Sequence, residues 1–160
     1  MRRNHGFTLI EILVVTFILA AMIGLVAAKL TRDDRDFVRD EADRLVVVLQ
    51  AAREETILQG GLLALEIRDG AYSFLRPTDK GKFAPIGDGP LASRQLPARM
   101  HINLELEGKP IQGRQVIVLE PSGALPTFRI AFALNETRWW ILGQPDGKIR
   151  SLPTADANAR

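Results

Sequence analysis

The sequence predicts an α+β fold, one long N-terminal helix followed only by antiparallel strands, and three observations carry that prediction. No proline occurs between Phe7 and Gln59, so nothing in that stretch forbids helix. Apolar residues in its second half recur at helical spacing, and beyond Gly60-Gly61 the pattern changes to short β-prone runs bounded by turn residues. A helix followed by strands alone must bury its apolar stripe against a sheet.

Residues 1–6, Met1-Arg2-Arg3-Asn4-His5-Gly6, form a short basic leader. Residues 7–28 follow, and their only formal charge is Glu11. As a helix rising about 1.5 Å per residue they extend roughly 33 Å, enough for a hydrocarbon core of about 30 Å. The leader side holds Arg2 and Arg3 and no acid, whereas the far side opens with Lys29, Arg32, Asp33 and Asp34. Positive-inside reasoning makes 7–28 a single transmembrane pass with a cytoplasmic N-terminus. Two processing routes compete. A secretory signal would be cut after Val26-Ala27-Ala28, but its apolar region should be about 7 to 15 residues, and here the apolar run is longer and interrupted at its front by Glu11. The other route cuts between Gly6 and Phe7 and removes only the leader.

Residues 29–60 continue the helix. Val38, Ala42, Leu45, Leu49, Ala52 and Thr56 fall on one face, and Glu41, Asp43, Arg44, Gln50, Arg53 and Glu54 fall mostly on the other. Gly60-Gly61 supplies the stop. One continuous helix from Phe7 to Gln59 would be roughly 80 Å long. Val46, Val47 and Val48 widen the apolar stripe, which predicts burial on several sides, part of it by neighbouring subunits. The charges of 32–39 read as a solvated face, or as weak pairs between neighbours worth about 0 to 1 kcal/mol each.

Residues 61–152 form the antiparallel β head. Strands are predicted over 62–68, 71–76, 99–107, 115–119, 127–134, 138–142 and 148–152, the first two joined as a hairpin by Asp69-Gly70. The proline- and glycine-rich stretch 77–90 reads as a loop, and the tail 153–160 as disordered.

At Gly6-Phe7-Thr8-Leu9-Ile10-Glu11 the chain resembles the class III signal of type IV pilins and type II secretion pseudopilins: basic leader, Gly at the cut, Phe after it, Glu five residues into the mature chain, and an immediate apolar helix. The resemblance implies a pilin-like fold, and a prepilin peptidase that cuts between Gly6 and Phe7 and N-methylates Phe7. It also implies a bacterial inner-membrane, single-pass protein with a periplasmic head. An acidic residue inside a membrane segment marks a functional site by default and calls for a positive partner. No Lys, Arg or His lies within 7–28. After cleavage the cation at that depth is the Phe7 amine, its own or a neighbour's. Pairing with a neighbour is the assembly role the pilin family assigns to this Glu; the plainer reading is a carboxylate that snorkels to the headgroups.

Leu49-Gln50-Ala51-Ala52-Arg53-Glu54-Glu55-Thr56, followed by a strand and the Pro121-Ser122-Gly123 turn ahead of Phe128-Arg129-Ile130, is similar to the H-type minor pseudopilins of the type II secretion system. That resemblance implies a structural subunit of the periplasmic pseudopilus that helps export folded proteins across the outer membrane. Its implied partners are the other minor pseudopilins, the major pseudopilin, prepilin peptidase and the inner-membrane assembly platform. Minor type IV pilins of the FimT or FimU kind share these motifs, so pilus assembly, adhesion or DNA uptake is the alternative. Two departures matter. Many family members have a proline where this chain has Ala28, so no proline kink is carried over. Cysteine is absent, unlike the C-terminal disulfide loop of many type IV pilins, which favours the pseudopilin side.

Other classes find little support. Net charge is +2 with 19 acidic residues, and removing Arg2 and Arg3 balances the mature chain, so no nucleic-acid partner is expected. There is no recognised spacing of titratable residues, His101 reads as structural, and Asp79, Asp88 and Asp146 are isolated. No enzyme, metal site or cofactor is expected. Trp139 and Trp140, adjacent on a strand, must point to opposite faces. One is expected in the core, and the other exposed or covered by a loop as a possible partner contact.

Overall fold

The computed structural model describes residues 9–30, 33–111 and 113–157, with side chains described for all of these but 23–30 and 156–157. The chain divides into two compact units, Met1–Asp33 and Asp34–Arg160. Helix α1, Leu9–Leu30, belongs to the first, and helix α2, Asp34–Gln59, opens the second. The continuous helix expected from Phe7 to Gln59 is therefore corrected, since Asp33 between them is not helical. Asp33 precedes α2 at the N-cap position, and Asp34 and Asp36 fill the first turn, where carboxylates complement the helix dipole. Helix α2 ends as expected: Gly60, at φ 67°, donates its N–H to the Thr56 carbonyl at 3.0 Å, closing the last turn in the left-handed conformation glycine favours.

Among the described residues ten strands follow: β1 (Leu63–Arg68), β2 (Ala71–Pro77), β3 (Phe83–Pro85), β4 (Arg94–Gln95), β5 (Met100–Leu106), β6 (Lys109–Pro110), β7 (Gln115–Leu119), β8 (Phe128–Leu134), β9 (Thr137–Gly143) and β10 (Ile149–Pro153). They make two antiparallel sheets. The first runs β3-β2-β1-β7 with β4 also on β2, and the second runs β10-β9-β8-β5-β6. All seven sequence-predicted strands are present within a residue or two. At the β1–β2 turn Asp69 and Gly70 both have positive φ, 52° and 71°, the backbone a two-residue hairpin loop requires.

The buried residues of α2 are Val38, Glu41, Ala42, Leu45, Leu49, Ala52 and Thr56, the predicted stripe with one acid added. They join Leu65, Phe74 and Ile117 of the first sheet and Leu104, Ile130, Phe132 and Ile141 of the second in a single core. Helix α2 was expected to cover one sheet; it touches strands of both. Val47 is 63 % exposed, and Val46 and Val48 pack at the core margin, so the subunit itself buries only part of the widened stripe.

Segment 77–90 is not all loop: β3 pairs with β2, matching Pro77 with Phe83 and Leu75 with Pro85. Pro85 is tolerated because β3 is an edge strand with one partner. The tail is also more ordered than expected. Pro153 completes β10 and Thr154–Ala157 form a short helix, α3, where Thr154 Oγ1 donates to the Arg138 carbonyl at 2.9 Å; residues 158–160 lie outside the described residues.

Candidate functional site

Helix α1 carries the expected assembly residue. Glu11 sits in its first turn among side chains that face outward: Leu9 is 86 % exposed, Ile10 70 % and Phe17 72 %. Apolar side chains at such exposure on consecutive turns have no core to enter within the described residues, so this surface calls for lipid or for other helices. Thr16, the polar exception, satisfies itself by donating to the Ile12 and Leu13 carbonyls at 2.9 and 3.0 Å. The leader 1–6, with Gly6, and the new terminus Phe7 lie outside the described residues. Among the described residues no helix is long and apolar enough to cross a membrane, and the expected span 7–28 reaches beyond them.

In the head, Trp139 and Trp140 do point to opposite faces of the second sheet, but neither is exposed, each being 7 % accessible. Trp139 belongs to the main core. Its Nε1 donates to Ser151 Oγ at 2.6 Å, Ser151 donates to Asp43 Oδ1 at 2.5 Å, and Arg39 donates to Asp43 Oδ2 at 3.3 Å. That chain ties β9 and β10 to α2. Arg35 and Arg39 also lie 5.9 Å from the Trp139 ring centroid, so part of the 32–39 stretch rests on an aromatic face rather than standing free in solvent. Trp140 lies outside the main core, in a small cluster with Ala131, Leu142 and Leu152. The expectation that the second tryptophan is exposed or covered by a loop is corrected: arginine side chains of β8 and β9 cover Trp140.

Sequence reasoning missed two polar anchors of α2. Glu41, placed on the polar face by periodicity, is buried and paired with Arg94 of β4, whose Nε donates to Oε2 at 3.2 Å and whose Nη2 donates to Oε1. Beside the pair, burial pushes the Tyr72 phenol above its ordinary value, with Arg44 pulling the other way. Near the end of α2, Arg53 Nε donates to the Gly123 carbonyl at 2.6 Å, and Thr56 Oγ1 donates to the Glu120 carbonyl at 3.2 Å. Arg53 also fills the space where a Cβ on Gly147 would stand, so this guanidinium braces both the β7–β8 loop and the β9–β10 turn. The available signal was an arginine at helical spacing from Ala52 and Thr56 with two Gly-bearing turns downstream, which fixes no contact by itself.

At the β9–β10 turn a surface pair forms. The Lys148 ammonium, 2.5 Å from Asp146, and the Lys148 backbone N–H hold the Asp146 carboxyl below its usual range. His101 is exposed on β5, and no group of three or more metal-ligating side chains converges among the described residues.

A family model described as the prokaryotic N-terminal methylation motif matches residues 1–27. The type II secretion system protein H of Aeromonas hydrophila is 32 % identical over 98 % of this chain and 90 % of its own length. That of Pseudomonas aeruginosa PAO1 is 31 % identical over 95 % of this chain and 91 % of its length. In fold, the chain is similar to the minor pseudopilin EpsH of the Vibrio cholerae type 2 secretion system, with a TM-score of 0.62 at 19 % identity over 76 % of this chain and 98 % of that one. The Pseudomonas aeruginosa type IV minor pilin FimU shares the fold at a TM-score of 0.56 and 17 % identity, covering 76 % and 92 % of the two chains. Fold alone therefore does not separate secretion from surface pilus. Full-length sequence identity does, and by it the chain belongs to the type II secretion system protein H family, the minor pseudopilins of that machine.

Proposed function

We propose that prepilin peptidase cuts this chain between Gly6 and Phe7 and methylates the new amine. The mature chain is then held in the inner membrane by a single pass over 7–28, with its N-terminus cytoplasmic and its head periplasmic. From there it enters the pseudopilus beside the other minor pseudopilins and the major one, through the assembly platform. Its role is structural, without catalysis or cofactor. Glu11 accepts the Phe7 amine of a neighbour and so sets the axial register. The observation that carries this reading is a helix whose apolar side chains are exposed from Leu9 to Met22, the described ones, and whose one carboxylate lies in its first turn, within the matched methylation motif. A carboxylate at that depth is worth keeping only against a cation.

The test compares Glu11→Ala with Glu11→Asp in cells lacking the parent gene, measuring incorporation into sheared pseudopili against total chain. Incorporation of the Ala variant falls at least about tenfold, the equivalent of about 1.4 kcal/mol, while Asp retains a measurable share. Normal incorporation of the Ala variant removes the pairing role and leaves the snorkelling carboxylate.

A further inference from the structure

The outer face of the second sheet is a patterned surface that the core does not account for. Strand register assembles it row by row. Glu105, Arg129, Leu142 and Arg150 stand side by side across β5, β8, β9 and β10. In the next row Ala131, Trp140 and Leu152 are neighbours, and Arg138 follows on β9. On these strands three arginines face one carboxylate around an apolar centre.

Trp140 is the middle of that centre, and what shields it is cationic. Arg129 Cζ lies 4.3 Å from its ring centroid and Arg138 Cζ 5.9 Å. Two N–H donors are left over: Trp140 Nε1 and Arg129 Nε are both buried and have no hydrogen-bond partner among the described residues. Glu105 does not serve, because its Oε2 is 3.8 Å from Arg129 Nε, beyond hydrogen-bond reach. A buried donor without an acceptor is a standing cost. Tryptophan and arginine at the centre of a patch, with apolar surface beside them, is the composition of a protein interface.

We infer that this face docks a neighbouring pseudopilus subunit through a surface that presents a carboxylate. The carboxylate accepts from the Arg129 guanidinium, whose side chain is 33 % exposed, Arg138 and Arg150 add attraction at the rim, and the partner's apolar surface covers Leu142 and Leu152. The inference rests on the chain being a filament subunit. Charge complementarity selects the occupant: a second copy docked through this same face would present the same arginines, whereas an acidic partner matches all three.

The experiment places p-benzoylphenylalanine at Arg150 of the full chain, in cells whose own copy is deleted, with the same probe at Phe83 on the first sheet as the comparison. Ultraviolet irradiation at position 150 yields an adduct with another pilin-like subunit, mapping to an acidic surface. Arg129→Glu with Arg138→Glu lowers its yield at least about tenfold, and Arg129→Lys with Arg138→Lys retains most of it, which separates charge from folding. Adducts only with lipid or with a second copy overturn the inference, as does a yield at 150 no higher than at 83. Restoration of export by the unmodified chain is the separate check on the filament reading: with export restored, a missing adduct counts against the docking face alone, and without it both fall.

Discussion

At the scale of single residues, the head is held by close approaches that leave no room for substitution. Gly143 on β9 faces Phe128 on β8 in register, and a Cβ built on Gly143 would overlap the Phe128 ring. Phe128 is 1 % exposed, so the ring has nowhere to retreat. Gly143→Ala therefore destabilises the head by about 1 to 3 kcal/mol, the usual cost of overpacking, measured by thermal melting of the solubilised full chain. Adding Phe128→Leu recovers part of that loss, so the double variant costs less than the sum of the singles. Strict additivity would mean the two positions do not meet. The same scale limits what sequence can show. Trp139 and Trp140 are read correctly as opposite-facing from strand alternation alone. That one would be roofed by Arg129 and Arg138 depends on strands distant in sequence. Glu41 is misread for the same reason, since its partner Arg94 comes from a two-residue strand that no pattern announces.

At the scale of elements, periodicity is reliable where one element supplies the whole signal. The apolar stripe of α2 is buried residue for residue, and the seven longer strands lie where alternation and turn residues put them. The three strands that were missed, β3, β4 and β6, have three, two and two residues, too short for a period of two to repeat. They exist because a neighbouring strand offers an edge. The helix break at Asp33 was masked by the absence of proline, although acids at the start of α2 mark a helix N-terminus. Stripe and surface of α2 respond differently to change. Leu45→Ala, at a fully buried position, costs about 2 to 5 kcal/mol. Val47→Lys, at a position 63 % exposed, leaves the stability of the isolated subunit, read by thermal melting, within about 0.5 kcal/mol of the parent. If Val47→Lys is as damaging as Leu45→Ala, the division of α2 into an inner and an outer face is wrong.

At the scale of the whole molecule, the chain joins an outward-facing apolar helix to a head with its own continuous core, and it does so without cysteine. Polar ties from α2 to both sheets replace covalent ones: Glu41 to Arg94 on the first sheet's side, Asp43 through Ser151 to Trp139 on the second's. A head so built is held by its own contacts, which suits a minor pseudopilin. Family membership comes from sequence identity along nearly the full chain, and the fold agrees with it. What that membership requires of the cell is protein export. The most direct measurement deletes the gene and assays secretion of folded proteins beside twitching motility, then restores the parent chain. Export is lost with twitching intact, and it returns with the parent; loss of twitching with export intact would contradict the account.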